Sequence, residues 1–148
     1  MSNKCVVIGA SHAAAQLVVS LRQGGWSGEI TVIGDEPHVP YHHPPLSKDY
    51  LSGEKTAEDL LIRSSEAYDL AGVKLILARQ VTAIDRNTKT VSIAHAEVIA
   101  YDKLVLATGA RVRPLPIEGA DLPCVYYLRN LADVTVIKSS LSFAKRVV

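Results

Sequence analysis

The sequence predicts an α/β fold, with a Rossmann-like parallel sheet and a small antiparallel β-meander inserted into it. Three observations lead to this prediction. Two β-branched runs enclose one amphipathic helical segment, several short alternating runs follow in the middle of the chain, and a last apolar run ends at a glycine. Strand, helix and strand in close succession form a βαβ unit, whose strands are parallel and joined by a right-handed crossover.

The first βαβ unit lies at the start of the chain. Residues 5–8 form an uninterrupted apolar, mostly β-branched run, which is typical of a strand buried on both faces. A helix is predicted over residues 13–22, because apolar side chains recur there at steps of three and four, and a pair of glycines ends it. The second strand is predicted at residues 30–33.

The rest of the chain alternates irregular and regular segments. Prolines are expected to prevent regular structure over residues 37–48, and Ser47 is expected to cap a short helix that Gly53 ends. The meander has its first hairpin turn at Asn87 and Thr88. The other predicted elements are helices at 65–70 and 133–141, strands at 73–77, 81–84, 90–93 and 98–101, a strand and glycine turn at 103–109, and the start of a strand at 145–148.

Composition and charge exclude several classes of protein. Of 148 residues, 48% are hydrophobic and 21% charged, which is the balance of one globular domain and not of a disordered chain. A net charge of +1 provides no basic field for nucleic acid. No apolar run has the length of a membrane span or the flanks of a secretory signal. Cys5 and Cys124 form no CxxC or zinc motif, so we expect a reducing, cytoplasmic location.

The turn after the first strand carries the strongest chemical signal. A dinucleotide-binding GxGxxG sequence would stand at the position of Gly9, Ala10, Ser11, His12, Ala13 and Ala14. The first glycine permits a tight turn, the last small residue lets the helix pack on the strand, and the free amides of the helix N-terminus attract phosphate. Ser11 replaces the central glycine, so its Cβ crowds a bound pyrophosphate while its hydroxyl offers a further donor.

A carboxylate at the end of the second strand supports a dinucleotide site. Asp35 follows Ala14 by 21 residues, a position from which a carboxylate accepts hydrogen bonds from a ribose diol and repels a 2′-phosphate. Glu36 is an alternative for the same role, because sequence alone does not define the last residue of a strand. A turn aspartate without a ligand is another alternative, since Gly-Asp-Glu-Pro is also a good turn sequence.

Two other chemistries have weaker support. Residues 9–13 nearly match a G-x-S-x-G nucleophile elbow, but the second glycine is missing and no convincing Asp and His pair follows, since His95 falls in the meander. His38, His42 and His43 cluster in the proline-rich segment. Neighbouring histidines of an extended segment point apart and no cysteine completes a metal site, so we expect these histidines to line a loop.

Four sequence blocks, in order and at matching spacing, resemble the flavin-dependent ferredoxin or rubredoxin reductases of the pyridine nucleotide-disulfide oxidoreductase superfamily. The blocks are VVIGAS at 6–11, IGDE at 33–36, PPLSK at 44–48 and LVLATG at 104–109. The first block is common to many nucleotide-binding proteins, whereas PPLSK is far more specific. The resemblance covers essentially the whole chain.

The resemblance implies where the adenosine and pyrophosphate of FAD would lie. Residues 9–14 would hold the pyrophosphate, and Asp35 would hold the adenosine ribose. Val81 would contact the adenine through its backbone. The dinucleotide would also lie beside the turn of Ala107, Thr108 and Gly109.

The resemblance also implies a flavin half of the site. Lys48 would lie beside the flavin, where a cation stabilises negative charge on the reduced ring. His43 stands where many members of the family carry arginine, so a permanent cation is replaced by a side chain that is mostly neutral at pH 7. Arg129 would be a further contact to FAD.

The cysteines distinguish branches of the superfamily. Its disulfide reductases carry a reactive cysteine pair just after the FAD turn, and this chain has none there. By resemblance, the intact enzyme would take electrons from NADH and pass them through FAD to a ferredoxin or rubredoxin. Residues 1–144 would be the N-terminal segment of the FAD-binding domain, and residues 145–148 would begin an NAD-binding domain.

Two alternatives remain at this stage. In the first alternative, the chain is a truncated or degenerate dinucleotide-binding domain without catalysis of its own. Ser11, His43 and the lack of a second glycine fingerprint for NADH favour this interpretation. The other alternative is a nicotinamide-binding module without flavin.

Overall fold

A parallel sheet and a smaller antiparallel sheet contain the strands of the protein. The structure, a computed structural model, describes residues 3–94 and 97–148. In chain order the strands are β1 (Lys4–Ile8), β2 (Glu29–Ile33), β3 (Val73–Ile76), β4 (Val81–Asp85), β5 (Thr90–Ile93), β6 (Glu97–Ala100) and β7 (Lys103–Leu106). The helices are α1 (His12–Gln23), α2 (Asp49–Ser52), α3 (Ser65–Leu70) and α4 (Leu131–Leu141), with 3₁₀ turns at Pro44–Ser47 and Glu58–Leu60.

The chain divides into two units. The first unit consists of Met1–Tyr41 and Leu61–Gly109, and it contains the two sheets with α1 and α3. The second unit consists of His42–Leu60 and Ala110–Val148, and it contains α2, α4 and the 3₁₀ turns. Within the ranges that the structure describes, no helix is long and apolar enough to cross a membrane.

The parallel sheet has the strand order β3-β2-β1-β7. Its central strand β1 pairs in parallel with β2 on one side and with β7 on the other, so that Val7 lies opposite both Val32 and Val105. The predicted α/β class is confirmed. The meander β4-β5-β6 forms a separate antiparallel sheet, and so the insertion lies between β3 and β7 in the chain and not inside the parallel sheet.

Strand β1 is buried on both faces, as its continuous apolar sequence predicts. Cys5 and Val7 face a core that includes Val18 of α1 and Tyr68 of α3. Val6 and Ile8 face the opposite core, to which β5 contributes. Because successive side chains of a strand alternate between faces, β1 joins a helical layer on one side to the meander on the other. The buried residues that β5 supplies are Val91 and Ile93.

The proline-rich segment is more regular than expected. Pro44–Ser47 is a 3₁₀ turn with proline at its start, because a first helical turn tolerates both a fixed φ and a missing N–H group. Ser47 therefore belongs to this turn, and Lys48 is the N-cap residue of α2, so the predicted cap was wrong. Gly53 does end α2, with a left-handed φ of +88°.

The end of the chain also differs from the prediction. Helix α4 begins at Leu131, two residues before its predicted start, because Asn130 and Asp133 form a capping box. The side chain of Asn130 accepts a hydrogen bond from the Asp133 amide, and the Asp133 carboxylate accepts one from the Asn130 amide. The predicted strand at residues 145–148 is absent from the described structure, where these residues are exposed.

A single guanidinium links three segments of the first unit. Arg22, near the end of α1, donates to the carbonyl oxygens of Trp26 (2.7 Å) and Gly28 (2.9 Å) before β2. It also donates to Ala71 (2.7 Å) and Gly72 (2.9 Å) before β3. The planar, five-donor fork of arginine suits this set of acceptors, which lysine cannot span.

We predict that Arg22→Lys lowers the free energy of unfolding by about 2 kcal/mol, because hydrogen bonds from a charged donor are lost and carbonyl groups are left unpaired. Urea unfolding followed by the fluorescence of Trp26, the single tryptophan, measures this change. Arg86→Lys is the matched control, since Arg86 is exposed in the β4–β5 turn. Equal stability of the two variants would contradict the prediction.

Candidate functional site

Three neighbouring parallel strands end together at the carboxyl end of β1. Strands β2 and β7 lie on opposite sides of β1, and the chain direction places the carboxyl ends of these parallel strands at one edge. The Gly9 amide donates to the Ile33 carbonyl at the end of β2 (2.7 Å), and the Ala107 amide donates to the Ile8 carbonyl (2.7 Å). Such a point, where the order of strands reverses, is where open α/β sheets bind ligands.

Gly9 is required by the geometry of this edge. Its φ is +107°, a conformation that residues with a Cβ rarely adopt. A Cβ built on Gly9 would overlap the carbonyl oxygen of Ala107, so the turn after β1 and the turn after β7 touch through their backbones. Two of the predicted site residues, Ala107 and Thr108, therefore lie beside the glycine turn. Gly109 follows them in the chain.

The N-terminus of α1 follows the glycine turn at the same edge of the sheet. Ser11 is the N-cap residue, and its side chain makes no capping hydrogen bond within the described part of the chain. The first helical hydrogen bond runs from the Ala15 amide to the Ser11 carbonyl (2.9 Å). The first turn, which contains His12, Ala13 and Ala14, has no acidic side chain. A helix N-terminus of this kind attracts an anion, and the Ser11 hydroxyl is not consumed by capping.

The end of β2 packs directly against the glycine turn. Gly34 is buried, and a Cβ built on it would lie 2.5 Å from the Cβ of Ala10. The Gly34 amide donates to the Ile76 carbonyl at the end of β3 (2.9 Å). These contacts hold the start of the Asp35 segment against the turn that contains Ala10. Gly34 belongs to the IGDE block of the sequence, but no role of its own was predicted for it.

The two acidic residues after β2 have different surroundings. Asp35 is exposed. Glu36 is half-buried, and its Oε2 accepts a hydrogen bond from the hydroxyl of Tyr41 (2.6 Å). Tyr41 is 2% exposed and was not recognised from the sequence. One carboxylate thus faces solvent, while the other binds a buried phenol.

A groove of about 340 Å³ lies on the first unit near the same edge. Ile8, Leu106 and Thr108 line one part of it, and residues 81–84 of β4 line the other. Val81 is therefore near the ends of β1 and β7, although 27 residues separate it from Thr108 in the chain. The walls are mostly apolar, which suits a flat ring more than a charged group.

The remaining predicted residues belong to the second unit. His43 and Lys48 flank the 3₁₀ turn Pro44–Ser47, and the Lys48 amide donates to the Pro45 carbonyl (2.9 Å). Lys48 and Arg129 have exposed side chains. The Arg129 amide donates to the Asp133 carboxylate (2.8 Å), which fixes the backbone just before α4.

Helix α4 is attached to α2 by a lysine that the sequence did not single out. The Nζ of Lys138 donates to the Tyr50 carbonyl (3.0 Å) and lies 5.1 Å from the centre of the Tyr50 ring. This contact combines a charge-assisted hydrogen bond with a cation–π interaction. It stabilises α2, which directly follows Lys48.

The two cysteines do not form a redox pair. Both are free: Cys5 is buried in β1 and Cys124 is exposed in the second unit. Burial raises the pKa of the Cys5 thiol, which keeps it in the less reactive protonated form. Among residues 3–94 and 97–148, no group of three His, Cys, Asp or Glu side chains is placed to hold a metal ion. His95, considered above for a serine nucleophile, lies outside the described residues.

A model of the pyridine nucleotide-disulphide oxidoreductase family matches residues 3–148. The chain belongs to this family. Over 143 residues it is 43% identical to rhodocoxin reductase of Rhodococcus erythropolis, in a match that covers 97% of this chain and 34% of that protein. Over 150 residues it is 39% identical to putidaredoxin reductase CamA of Pseudomonas putida, with 99% and 36% covered. The chain thus spans about a third of the length of the curated relatives that it matches.

Two solved reductase structures are similar to this chain in fold. The ferredoxin reductase for the CYP199A2 system of Rhodopseudomonas palustris matches with a TM-score of 0.89 and 38% identity over 96% of this chain and 35% of that chain. The reductase in a covalent putidaredoxin reductase–putidaredoxin complex matches with a TM-score of 0.86 and 39% identity, over 94% and 34%. The predicted resemblance to ferredoxin and rubredoxin reductases is confirmed.

We predict that Gly34→Ala lowers the free energy of unfolding by about 1–3 kcal/mol, because the new methyl group overlaps that of Ala10. The double variant Gly34→Ala/Ala10→Gly should recover much of this loss, since the next nearest atom, on Leu77, is 3.5 Å away. Thermal and urea unfolding measure both changes. A double variant less stable than Gly34→Ala would contradict a steric cause.

Proposed function

We propose that this chain is the FAD-binding part of a flavoprotein oxidoreductase that passes electrons from NADH through FAD to a ferredoxin or rubredoxin. The proposal rests on one observation. The N-terminus of α1, whose first turn has no acidic side chain, lies where the order of strands reverses, and Asp35 follows the end of the neighbouring strand β2. Family membership supports it, as do relatives named rhodocoxin, putidaredoxin and rubredoxin-NAD(+) reductases. Bound FAD would supply two-electron chemistry toward a nicotinamide and one-electron chemistry toward an iron–sulfur or rubredoxin acceptor.

The residues of the first unit suit the adenosine diphosphate half of FAD. In this proposal the backbone of residues 9–14 binds the pyrophosphate, with a further hydrogen bond from the Ser11 hydroxyl. Asp35 accepts hydrogen bonds from the ribose diol. The Val81 backbone contacts the adenine along the apolar groove. The dinucleotide passes the backbone of residues 107–109, where the absence of a Cβ on Gly9 leaves room for the two turns to meet.

The residues of the second unit suit the flavin half. Lys48 would place a positive charge beside the flavin ring, where it would favour negative charge on the ring. Arg129 provides a second cation with an exposed side chain. His43 provides a hydrogen-bonding group that gains a positive charge only when protonated. Without a redox cysteine pair, electrons leave directly to the protein acceptor, and no disulfide is part of the proposed route.

We assign residues 1–144 to the FAD-binding domain and residues 145–148 to the beginning of an NAD-binding domain. Strand β7 supports a continuation of the sheet, because within the described residues it pairs only with β1 and Leu106 is 63% exposed. An apolar strand with an unpaired edge is usually covered in the complete protein. We further propose a cytoplasmic location, in keeping with two free cysteines.

A second candidate is a domain that binds a dinucleotide without catalysis of its own. The match to only a third of each relative favours it for this chain in isolation. Mixing the FAD-loaded chain with NADH in a stopped-flow instrument separates the candidates. Bleaching of the flavin absorbance faster than with free FAD indicates catalysis by the chain, and an unchanged rate indicates binding alone.

We predict that the 148-residue chain binds FAD more tightly than FMN, because FMN lacks the adenosine that Asp35 would hold. Asp35→Asn should weaken FAD binding about tenfold, through loss of a charge-assisted hydrogen bond, and leave FMN binding unchanged. Flavin fluorescence titration measures the affinities of the wild type and of Asp35→Asn for FAD and for FMN. Asp69→Asn is the control, since Asp69 is exposed on α3. Equal affinities for FAD and FMN in the wild type would contradict the proposed site.

A further inference from the structure

We propose that Tyr41 and Glu36 form a positioning pair that holds Asp35 where it recognises the 2′-hydroxyl of an adenosine ribose. The inference rests on the proposed function, and it assigns different roles to two neighbouring carboxylates. Asp35 is the group that binds the ribose. Glu36 binds no ligand and acts through its hydrogen bond to Tyr41.

The backbone on both sides of Asp35 is anchored to the loop after β3. On one side, the Gly34 carbonyl accepts from the Arg79 amide (2.9 Å). On the other side, the Glu36 carbonyl accepts from the Ala78 amide (2.9 Å). The loop adopts a left-handed φ of +53° at Ala78, which turns consecutive amides toward the end of β2. These two hydrogen bonds fix the backbone from Gly34 to Glu36. The segment after Glu36 is held by other contacts.

The side chain of Glu36 makes the next attachment. Its Oε2 accepts the phenolic proton of Tyr41 at 2.6 Å, in a part-buried position. A hydrogen bond from a neutral donor to a carboxylate is short and about twice as strong as one between neutral groups. Using this oxygen for a ribose would require breaking that bond and leaving the buried hydroxyl of Tyr41 without an acceptor.

Tyr41 is a rigid anchor for this bond. Its side chain is 2% exposed, and its backbone forms an antiparallel bridge with Leu61. The neighbouring Pro40 carbonyl accepts from the Ile62 amide (3.0 Å). The ring of His38 packs edge-on against the Tyr41 ring, with 6.1 Å between centroids. The bond therefore closes a loop of six residues, from Glu36 to Tyr41, whose far end cannot move freely.

The consequence for Asp35 is preorganisation. A side chain held in its binding orientation before the ligand arrives loses less conformational entropy on binding. Removing the Tyr41 hydroxyl keeps the buried ring but releases the Glu36 side chain. Asp35 then samples more orientations, and the 2′-hydroxyl should lose part of its contribution to affinity, while the phosphates and the base keep theirs.

The test uses the full chain and two probes, ADP and 2′-deoxy-ADP, with affinities from isothermal titration calorimetry. The ratio of the two dissociation constants reports the 2′-hydroxyl alone. We expect the wild type to prefer ADP about tenfold, and Tyr41→Phe to reduce this preference to about threefold with little change for 2′-deoxy-ADP. Glu36→Gln keeps an acceptor for the phenol, so it should retain most of the preference.

A double-variant cycle identifies the residue through which Tyr41 acts. Asp35→Asn should remove most of the preference, and adding Tyr41→Phe to Asp35→Asn should then change it no further. Tyr68→Phe is the matched control, because the Tyr68 hydroxyl is buried and has no hydrogen-bond partner among the described residues. This control should leave the preference unchanged, and a thermal unfolding curve for each variant verifies that it folds.

The possible outcomes are distinguishable. No binding of ADP by the wild type overturns the proposed function and this inference with it. Binding of ADP with an equal preference in wild type and Tyr41→Phe overturns this inference alone. Equal weakening of both probes by Tyr41→Phe also overturns it, because the role is then only structural. If Glu36→Gln loses the preference for ADP over 2′-deoxy-ADP and Asp35→Asn keeps it, then Glu36 binds the ribose instead of Asp35, and this inference is overturned.

Discussion

The close approach of Gly9 to the carbonyl oxygen of Ala107 is the contact on which the candidate site depends. It brings the turn after β1 against the turn after β7, a distance that no side chain larger than hydrogen allows. The sheet enforces this approach, since residues 5–8 of β1 pair with all four residues of β7. The N-terminus of α1, the groove near Val81 and the end of β2 all take their places from this junction.

A second small residue extends the junction toward Asp35. Gly34 packs on Ala10 as Gly9 packs on Ala107, so the ends of three neighbouring strands approach too closely to leave room for a Cβ at either glycine. Close packing of this kind leaves little freedom to the backbone, and a site built on it needs few additional supports. The main addition is the Tyr41 hydroxyl, which engages Glu36 and leaves the neighbouring carboxylate in solvent.

At two predicted site residues, Ser11 and His43, the sequence differs from the pattern that the resemblance led us to expect. The structure gives Ser11 a defined place, as an N-cap residue whose hydroxyl is free of the usual capping bond. His43 directly precedes the 3₁₀ turn that leads to Lys48, in a different unit from the glycine turn. In the proposed function, Ser11 would add a hydrogen-bond donor near the pyrophosphate, and His43 would supply a hydrogen-bonding group near the flavin.

The sequence by itself determined the α/β class, the order of strands and helices as far as α4, the position of the glycine turn and the family. Continuous β-branched runs, 3.6-residue periodicity and glycines with special backbone conformations are local properties, so they are visible without coordinates. The sequence did not predict the 3₁₀ turn at Pro44–Ser47. Proline interrupts a helix in its interior but is tolerated in a first turn, so the two prolines were compatible with either outcome.

Only the tertiary structure distinguished the surroundings of Asp35 from those of Glu36. It also showed that the meander is a separate sheet and that Val81 and Thr108 line the same groove. Each of these depends on residues far apart in the chain or on the direction of a single side chain. Periodicity carries no information on which of two adjacent carboxylates meets a buried phenol, because that choice is made by the packing of the loop around Tyr41.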